Sequence, residues 1–317
     1  MLFAVLCWSM YRQVSMQKDL EQRWQQIKQC WHNPLFWLVV LLMFVNWLLE
    51  AKKWQVLLLP LQQLSLGTAF KAVLAGCSIT MLTPNRIGEY GGRILYVKEH
   101  NRLQAISLTI LGSMSQLMIT LIIGTAGLLI MQYHSADDAG TFKMLPAIFS
   151  NTLLAISIFF TLGLILVYLR INFIIALLKK IPFLKKALKY MLVLEQVSRK
   201  QLLRIVVLSG IRYLVFILQY MLLLQVMAVT VNPFLCFWLL SIFYLIMVLA
   251  PTIGFTEFPI RATASVQLFA LYSTNILGIQ AAALGIWLLN IVVPAILGSF
   301  LILGIKINQD KNDNSIP

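Results

Sequence analysis

Long apolar runs separated by short polar segments dominate this chain. Runs at 34–49, 104–131, 145–169, 202–229 and 278–304 approach or exceed the roughly 20 residues that a helix needs to cross a bilayer. Three further runs, at 68–82, 234–250 and 262–272, border two polar segments, and the hairpin at 234–272 is either re-entrant or fully spanning. The pattern predicts an all-α, polytopic integral membrane protein with about seven or eight membrane helices and two broken or re-entrant helical hairpins in pseudo-symmetric halves.

The composition excludes an ordinary soluble protein. Of the 317 residues, 60% are apolar and 11% are charged, whereas a soluble domain has about 25% charged residues. We therefore expect a single transmembrane domain over 1–317, with halves at about 34–131 and 145–305 and a polar tail at 306–317. The apolar run at 1–11 is too short to span, so it is either an interfacial helix or the end of a longer first span.

The charge is strongly basic, with 25 basic and 11 acidic residues giving +14. No basic patch carries interleaved aromatic residues, so we exclude nucleic acid as a partner. The densest basic segment, 170–204, has apolar residues at helical spacing and predicts an amphipathic connector in the membrane interface. The positive-inside rule assigns this connector, and with it the C-terminus, to the cytoplasm. A topology signal explains its charge better than a specific lipid site does.

Two segments of the chain repeat one pattern. The first reads TPNRIGEYGGR at 83–93, and the second reads PTIGFTEFPIR at 251–261. Each contains a proline after a short apolar run, then Ile-Gly, a glutamate, and an arginine four residues later. Backbone freed at such breaks cannot face lipid, and paired breaks in two halves are typical of transporter binding sites. The predicted helix-break residues are Pro84, Gly88, Gly91, Gly92, Pro251 and Gly254.

The charged residues of these segments predict a site for a phosphate-bearing group. Arginine presents a planar fork that matches phosphate, and a glutamate four residues earlier can pair with it on a helix or bind a cationic headgroup. Ionisable residues beside broken membrane helices are usually functional. The alternative is two interfacial loops whose similarity is accidental. The predicted substrate-binding residues are Arg86, Glu89, Arg93, Glu257 and Arg261.

Other polar residues within the apolar runs have weaker signals. Arg212 either snorkels to the interface or faces the cavity.

If Lys52 and Lys53 are cytoplasmic, the first hairpin enters from the cytoplasm and the halves form an inverted repeat. The 4 cysteines and 3 histidines show no metal-ligand spacing, so we predict no metal, cofactor or disulfide. We expect interhelical hydrogen bonds from Asn46, Gln116, Gln219 and Asn290.

The two segments resemble the flippase-like transmembrane family of the lysylphosphatidylglycerol synthases. The residues that carry the resemblance are TPNRIGE at 83–89 with Arg93, then Pro251, Gly254 and Glu257. The resemblance covers nearly the whole chain. It implies a stand-alone member, without the soluble synthase domain, in a bacterial cytoplasmic membrane. It also implies movement of an anionic phospholipid or polyprenyl-linked lipid between leaflets, with arginines holding phosphate.

Two other functions compete with lipid transport. Membrane-embedded proteases of prenylated proteins also use E-x-x-x-R, but they need an adjacent second glutamate and histidines on neighbouring helices. Here Gly88 precedes Glu89, and no histidine lies within a membrane run, so we predict that the chain is not an enzyme. The third interpretation is a non-transporting scaffold for a separate lipid-modifying enzyme, whose phenotype would survive loss of Glu89 and Glu257.

Overall fold

The fold is entirely helical in the part of the chain that the structure describes. This computed structural model describes residues 2–17, 19–83, 87–137, 147–181, 183, 185–249 and 257–313. Those residues contain fourteen α-helices and no strand. The helices are α1 Leu2–Ser15, α2 Leu20–Lys28, α3 Pro34–Leu57, α4 Leu66–Thr80, α5 Gly88–Ile94, α6 Arg102–Asp137, α7 Ala147–Leu169, α8 Ile171–Leu178, α9 Lys185–Met191, α10 Arg199–Val226, α11 Pro233–Leu249, α12 Glu257–Phe269, α13 Ile276–Trp287 and α14 Val293–Asp313.

Five helical spans among the described residues are long and apolar enough to cross a membrane. They are α3, α6, α7, α10 and the combined α13–α14 unit. Two shorter apolar helices, α4 and α11, lead into the two broken segments. This arrangement confirms the predicted all-α, polytopic membrane fold. The chain is therefore a multi-pass integral membrane protein.

Helix α3 extends beyond the limit that its apolar run suggested. The run ends at Glu50, but the helix continues to Leu57. Its start is fixed locally, because the Asn33 side chain accepts a hydrogen bond from the Leu35 amide at 3.0 Å and Pro34 needs no backbone partner. Glu50 and Lys53 therefore lie inside the helix bundle and pair with each other, whereas Lys52 is half-buried.

Helices α3 and α10 pack against each other in opposite directions. The Gln219 amide donates to the Val39 carbonyl near the start of α3, and the Gln201 amide donates to the Val56 carbonyl near its end. The C-terminal part of α10 therefore contacts the N-terminal part of α3, and the N-terminal part of α10 contacts the C-terminal part of α3. A hairpin follows each of these helices, so the two helices have the opposite directions that an inverted repeat requires.

Hydrogen bonds join the two ends of the first hairpin, α4–α5. Before α4, the Gln62 side-chain amide donates to the Tyr96 carbonyl at 3.4 Å, and its oxygen accepts from the Lys98 amide at 3.2 Å. The Asn101 side chain donates to the Leu61 carbonyl at 3.4 Å. The chain therefore enters and leaves this hairpin at the same level, beside the C-terminal end of α3, so the hairpin is re-entrant.

The second hairpin, α11–α12, is closed in the same way at the C-terminal end of α10. The Asn275 side chain donates to the carbonyls of Met227 and Ala228 at 2.9 and 3.3 Å. Ala228 has a positive φ of 55°, which turns the chain at the end of α10. Because α3 and α10 are antiparallel, the two hairpins enter the bundle from opposite ends.

Close packing of the first hairpin depends on two of the predicted glycines. A Cβ at Gly88 would lie 2.5 Å from the Ile79 carbonyl oxygen, and one at Gly92 would collide with the Ala75 carbonyl. Gly91 differs, because a Cβ there would meet no atom within 4 Å. Pro84, Pro251 and Gly254 lie outside the described residues, although helices end and begin on either side of them.

Candidate functional site

Two neighbouring cavities lie between the hairpins. The first-hairpin cavity, of about 310 Å³, is lined on one side by Glu50, Lys53 and Glu89. The second-hairpin cavity, of about 270 Å³, is lined on one side by Glu257 and Arg261. Both volumes are close to the lower limit for small-molecule sites, about 300 Å³. The residues that line both cavities are Trp47, Gln116, Thr120, Arg212 and Val248.

Glu50 is the centre of the buried charge network. The Lys53 Nζ and Arg212 Nη1 atoms lie 2.8 and 2.9 Å from Glu50 Oε2, and Arg93 Nη2 lies 2.8 Å from Oε1. All four side chains are less than a tenth exposed. A carboxylate this deeply buried must be paired to stay ionised, and three cations provide that pairing. The network joins α3, α5 and α10 through one side chain.

The first E-x-x-x-R pair lies on α5. Glu89 and Arg93 form an ion pair one helical turn apart, the spacing at which side chains on a helix meet. Glu89 lines the first-hairpin cavity. Arg93 is 1% exposed, lies over the Trp54 ring at 6.0 Å, and lines neither cavity. In this conformation Arg93 is enclosed between Glu50 and Glu89.

The second E-x-x-x-R pair lies on α12 and faces its cavity. The Arg261 Nε atom donates to Glu257 Oε1 at 2.7 Å. The guanidinium also lies over the Phe243 ring of α11, at 6.0 Å. The sequence predicted breaks at these two motifs, and the structure has Glu89, Arg93, Glu257 and Arg261 in helices, at the spacing that lets each pair meet. Arg86, the fifth predicted site residue, lies outside the described residues.

Arg212 faces the interior rather than the interface. It is 7% exposed and lines both cavities. Its Nε donates to Asn46 Oδ1 at 2.7 Å, and its guanidinium lies 5.5 and 5.0 Å from the rings of Trp47 and Phe216. These contacts fix a cation in the wall between the two cavities. Of the two positions that the sequence left open for Arg212, the structure has the cavity-facing one.

A ladder of amide side chains supports Arg212. The Asn46 amide donates to Asn290 Oδ1 at 3.0 Å, and the Asn290 amide donates to Gln219 Oε1 at 2.9 Å. Asn290 lies in a short π-helical turn, Leu288–Val292, just before Pro294. Proline has no amide hydrogen to bond the carbonyl four residues earlier, which disrupts regular α-helical bonding here. The predicted interhelical hydrogen bonds from these amide residues are present.

The charge balance of this interior is positive. Among the described residues, four cations share it with three carboxylates, which leaves one uncompensated positive charge. Because isolated charges are costly at membrane depth, such an excess favours an anionic ligand. In the described residues no group of three or more His, Cys, Asp or Glu side chains could hold a metal ion. The cations are Lys53, Arg93, Arg212 and Arg261, and the carboxylates are Glu50, Glu89 and Glu257.

Glu50 and Lys53 are the site residues that the sequence pattern did not single out. They stand at the polar end of an apolar run, where charges normally mark the exit from the membrane. One available signal was the spacing of three residues between Glu50 and Lys53, which permits an ion pair on one helix face.

Comparison with known proteins gives one match, at the level of the family. No curated protein and no solved structure matches the chain significantly. The model of one family, described as the lysylphosphatidylglycerol synthase TM region, matches residues 1–298. That match includes both hairpins, the first four spans, most of the fifth span and the Glu50 network. The chain therefore belongs to the lysylphosphatidylglycerol synthase transmembrane-region family.

Proposed function

We propose that this protein is a lipid flippase that moves a phosphate-bearing lipid between the two leaflets. The observation that carries the proposal is the pair of cavities between oppositely directed hairpins, with Arg212 in their shared wall and Arg261 beside it. The family match supports a role in lipid handling. The substrate class is an anionic phospholipid or a polyprenyl-linked lipid, and no chemical conversion is proposed.

In this proposal the cations that line the cavities receive the phosphate. Arg261 and Arg212 offer guanidinium groups, which suit phosphate oxygens. Glu89 and Glu257 neutralise the site when it is empty and bind an amine where the headgroup has one. Arg93 holds Glu89 and Glu50 in position, and it contacts substrate only if the first hairpin rearranges. Arg86 is proposed as a further phosphate ligand from its place in the motif.

The orientation is part of the proposal. The basic connector between α7 and α10 favours the cytoplasm, which would open the first hairpin to the cytoplasm and the second to the outside. The C-terminus is then cytoplasmic, and the membrane is the cytoplasmic membrane of a bacterium. Single cysteines introduced into a cysteine-free background at Lys180 and Asn232 test this, because only the second should react with an impermeant thiol reagent on intact cells.

Reconstituted vesicles provide the test of lipid movement. Fluorescently labelled phosphatidylglycerol, phosphatidylcholine and a polyprenyl phosphate are each incorporated, and the fraction that an impermeant quencher reaches is followed over time. Wild-type protein should accelerate exchange of at least one anionic lipid over phosphatidylcholine. Arg261→Gln should abolish the acceleration, whereas Lys200→Gln, which removes an exposed charge, should not. The proposal would be contradicted if every anionic lipid exchanged at the same rate in vesicles with and without the protein.

A further inference from the structure

A third cavity lies away from the two hairpins. This groove, of about 580 Å³, is formed by α6, α7 and α10. None of its lining residues lines the first-hairpin or second-hairpin cavity. Its volume is within the range of small-molecule sites, about 300–1,000 Å³. The groove therefore requires an explanation separate from the translocation site.

The walls of the groove are apolar and open to lipid. Met118 and Ile122 of α6 face Leu203 and Val206 of α10 across it. Leu169 and Leu203 are 66% and 64% exposed, as expected of side chains that contact acyl chains rather than a protein core. The Tyr168 hydroxyl donates to the Leu202 carbonyl at 3.2 Å, which joins α7 to α10 beside the groove.

One end of the groove carries two arginines. Arg170 directly follows α7, and Arg199 is the first residue of α10. Both are exposed, and neither forms an ion pair within the described part of the chain. The nearby acid Glu195 is paired with Lys179 at 2.7 Å. The two guanidinium groups are thus available to an anion at the interface, with apolar walls below them.

The groove matches the dimensions of a lipid that has its headgroup at the arginines. Val206 lies seven residues after Arg199, which places it about 10 Å deeper along the helix at 1.5 Å per residue. An anionic headgroup at the interface would leave the first part of an acyl chain beside Val206. A site for a small anion would need the two arginines but no apolar groove beneath them. A site for an uncharged acyl chain would need the groove but not the two arginines.

We infer that the Arg170–Arg199 groove is a binding site for one diacyl anionic phospholipid, distinct from the translocation cavities. The bound phosphodiester accepts hydrogen bonds from both guanidinium groups, and one acyl chain lies along α10. This site would tie the connector end of α7 to the start of α10. The inference does not depend on whether the protein transports lipid, because it concerns a different cavity.

Native mass spectrometry of the purified protein with added phosphatidylglycerol tests this site. The variant Arg170→Gln/Arg199→Gln should retain one lipid fewer than the wild type. Its apparent affinity for that lipid should fall about tenfold or more, because each charge-assisted hydrogen bond contributes more than a factor of ten. The matched control Lys200→Gln/Arg204→Gln removes two exposed charges from the same helix outside the groove. It should retain wild-type binding.

Two further measurements separate the groove from general charge attraction. Val206→Trp fills the apolar part while both arginines remain, and it should weaken phosphatidylglycerol binding. Glycerol phosphate, which has the charge but no acyl chains, should not displace the lipid at equal concentration. Equal losses in the two double variants, unchanged binding by Val206→Trp, or equal binding of phosphatidylcholine would each overturn the inference. Unfolding temperatures without lipid verify that every variant is folded.

Discussion

Asn101 and Asn275 occupy equivalent positions in the two halves of the fold. Each is buried, each stands directly before a long helix, and each donates its side-chain amide to a carbonyl just beyond the helix that precedes its hairpin. Asn101 closes the first hairpin against Leu61, and Asn275 closes the second against Met227. The same type of asparagine side-chain hydrogen bond thus closes both hairpins.

Replacing either asparagine should loosen its hairpin. Asn275→Ala removes bonds to two carbonyls and to the Gly278 amide, so it should lower stability more than Asn101→Ala, which loses a single bond. At about 0.5–1.5 kcal/mol per bond, the difference should be measurable. Amide hydrogen exchange should accelerate around 227–229 and 273–278. Asn232→Ala, which removes only an exposed helix cap, is the control and should leave exchange at 273–278 unchanged.

Glu50→Gln should destabilise the protein strongly. The change leaves Lys53, Arg93 and Arg212 without their shared carboxylate, and breaking a buried ion pair on one side typically costs about 3–5 kcal/mol. Glu195→Gln removes the exposed partner of Lys179 and should cost about 1 kcal/mol or less. Unfolding of both variants in the same detergent measures the difference. Equal stability of the two variants would contradict the position of Glu50 at the centre of the buried charge network.

Gly92→Ala and Gly91→Ala should have opposite effects although the residues are adjacent. The alanine Cβ at 92 collides with the α4 backbone, and overpacking costs about 1–3 kcal/mol. At 91 the Cβ enters open space, and the better helix propensity of alanine favours the variant by up to about 1 kcal/mol. Unfolding temperatures distinguish these results. A stable Gly92→Ala protein would show that α4 and α5 are less tightly packed than described.

The variants Glu257→Gln and Arg261→Gln should impair transport more than stability. Each alters the charged pair that lines the proposed phosphate site, and a lost charge-assisted bond to the phosphate or to its arginine, worth about 1.5–3 kcal/mol, should lower transport at least about tenfold. The double variant should show less than the sum of the two losses, because the pair acts as a unit. Transport in vesicles and unfolding of the same preparations are compared. Unchanged transport, or an unfolded Glu257→Gln protein, would contradict this assignment.

Arg93→Gln should behave differently from Arg261→Gln. The sequence motif treats the two arginines as equivalent, but Arg93 is enclosed by Glu50 and Glu89 and lines neither the first-hairpin nor the second-hairpin cavity. Its loss leaves two carboxylates poorly compensated, so stability should fall as in Glu50→Gln. The ratio of stability loss to transport loss should therefore be higher for Arg93→Gln than for Arg261→Gln. Equal ratios would show that the two positions have the same role.

The sequence could predict the spans and the two motifs because these depend on local pattern. Apolar length identifies membrane helices, and E-x-x-x-R spacing places the two side chains on one helix face. The pairings within Glu89–Arg93 and Glu257–Arg261 therefore follow from the chain alone. The sequence predicted an inverted repeat on the condition that Lys52 and Lys53 are cytoplasmic, and the antiparallel contacts of α3 with α10 provide the opposite directions that such a repeat requires.

The composition of the charge network could not be predicted because it depends on long-range packing. Glu50 meets Arg93 and Arg212 across 43 and 162 positions of the chain, and local spacing carries no information about such contacts. The polar run at 50–53 also resembled the end of a span. Because α3 continues to Leu57, Glu50 and Lys53 lie inside the bundle, so the error about one boundary concealed the central carboxylate.

The carboxylate of Glu50 anchors the two hairpins unequally. Any displacement of the first hairpin must separate Arg93 from Glu50 in a low-dielectric interior, or else carry α3 and α10 with it. Arg261 pairs with Glu257 and lies over the Phe243 ring, and both of these residues belong to its own hairpin. The two hairpins are thus fastened to α10 by different chemistry: the first through the ion pairs of Glu50, and the second through a neutral hydrogen bond between the hydroxyls of Tyr220 and Ser265 at 2.6 Å.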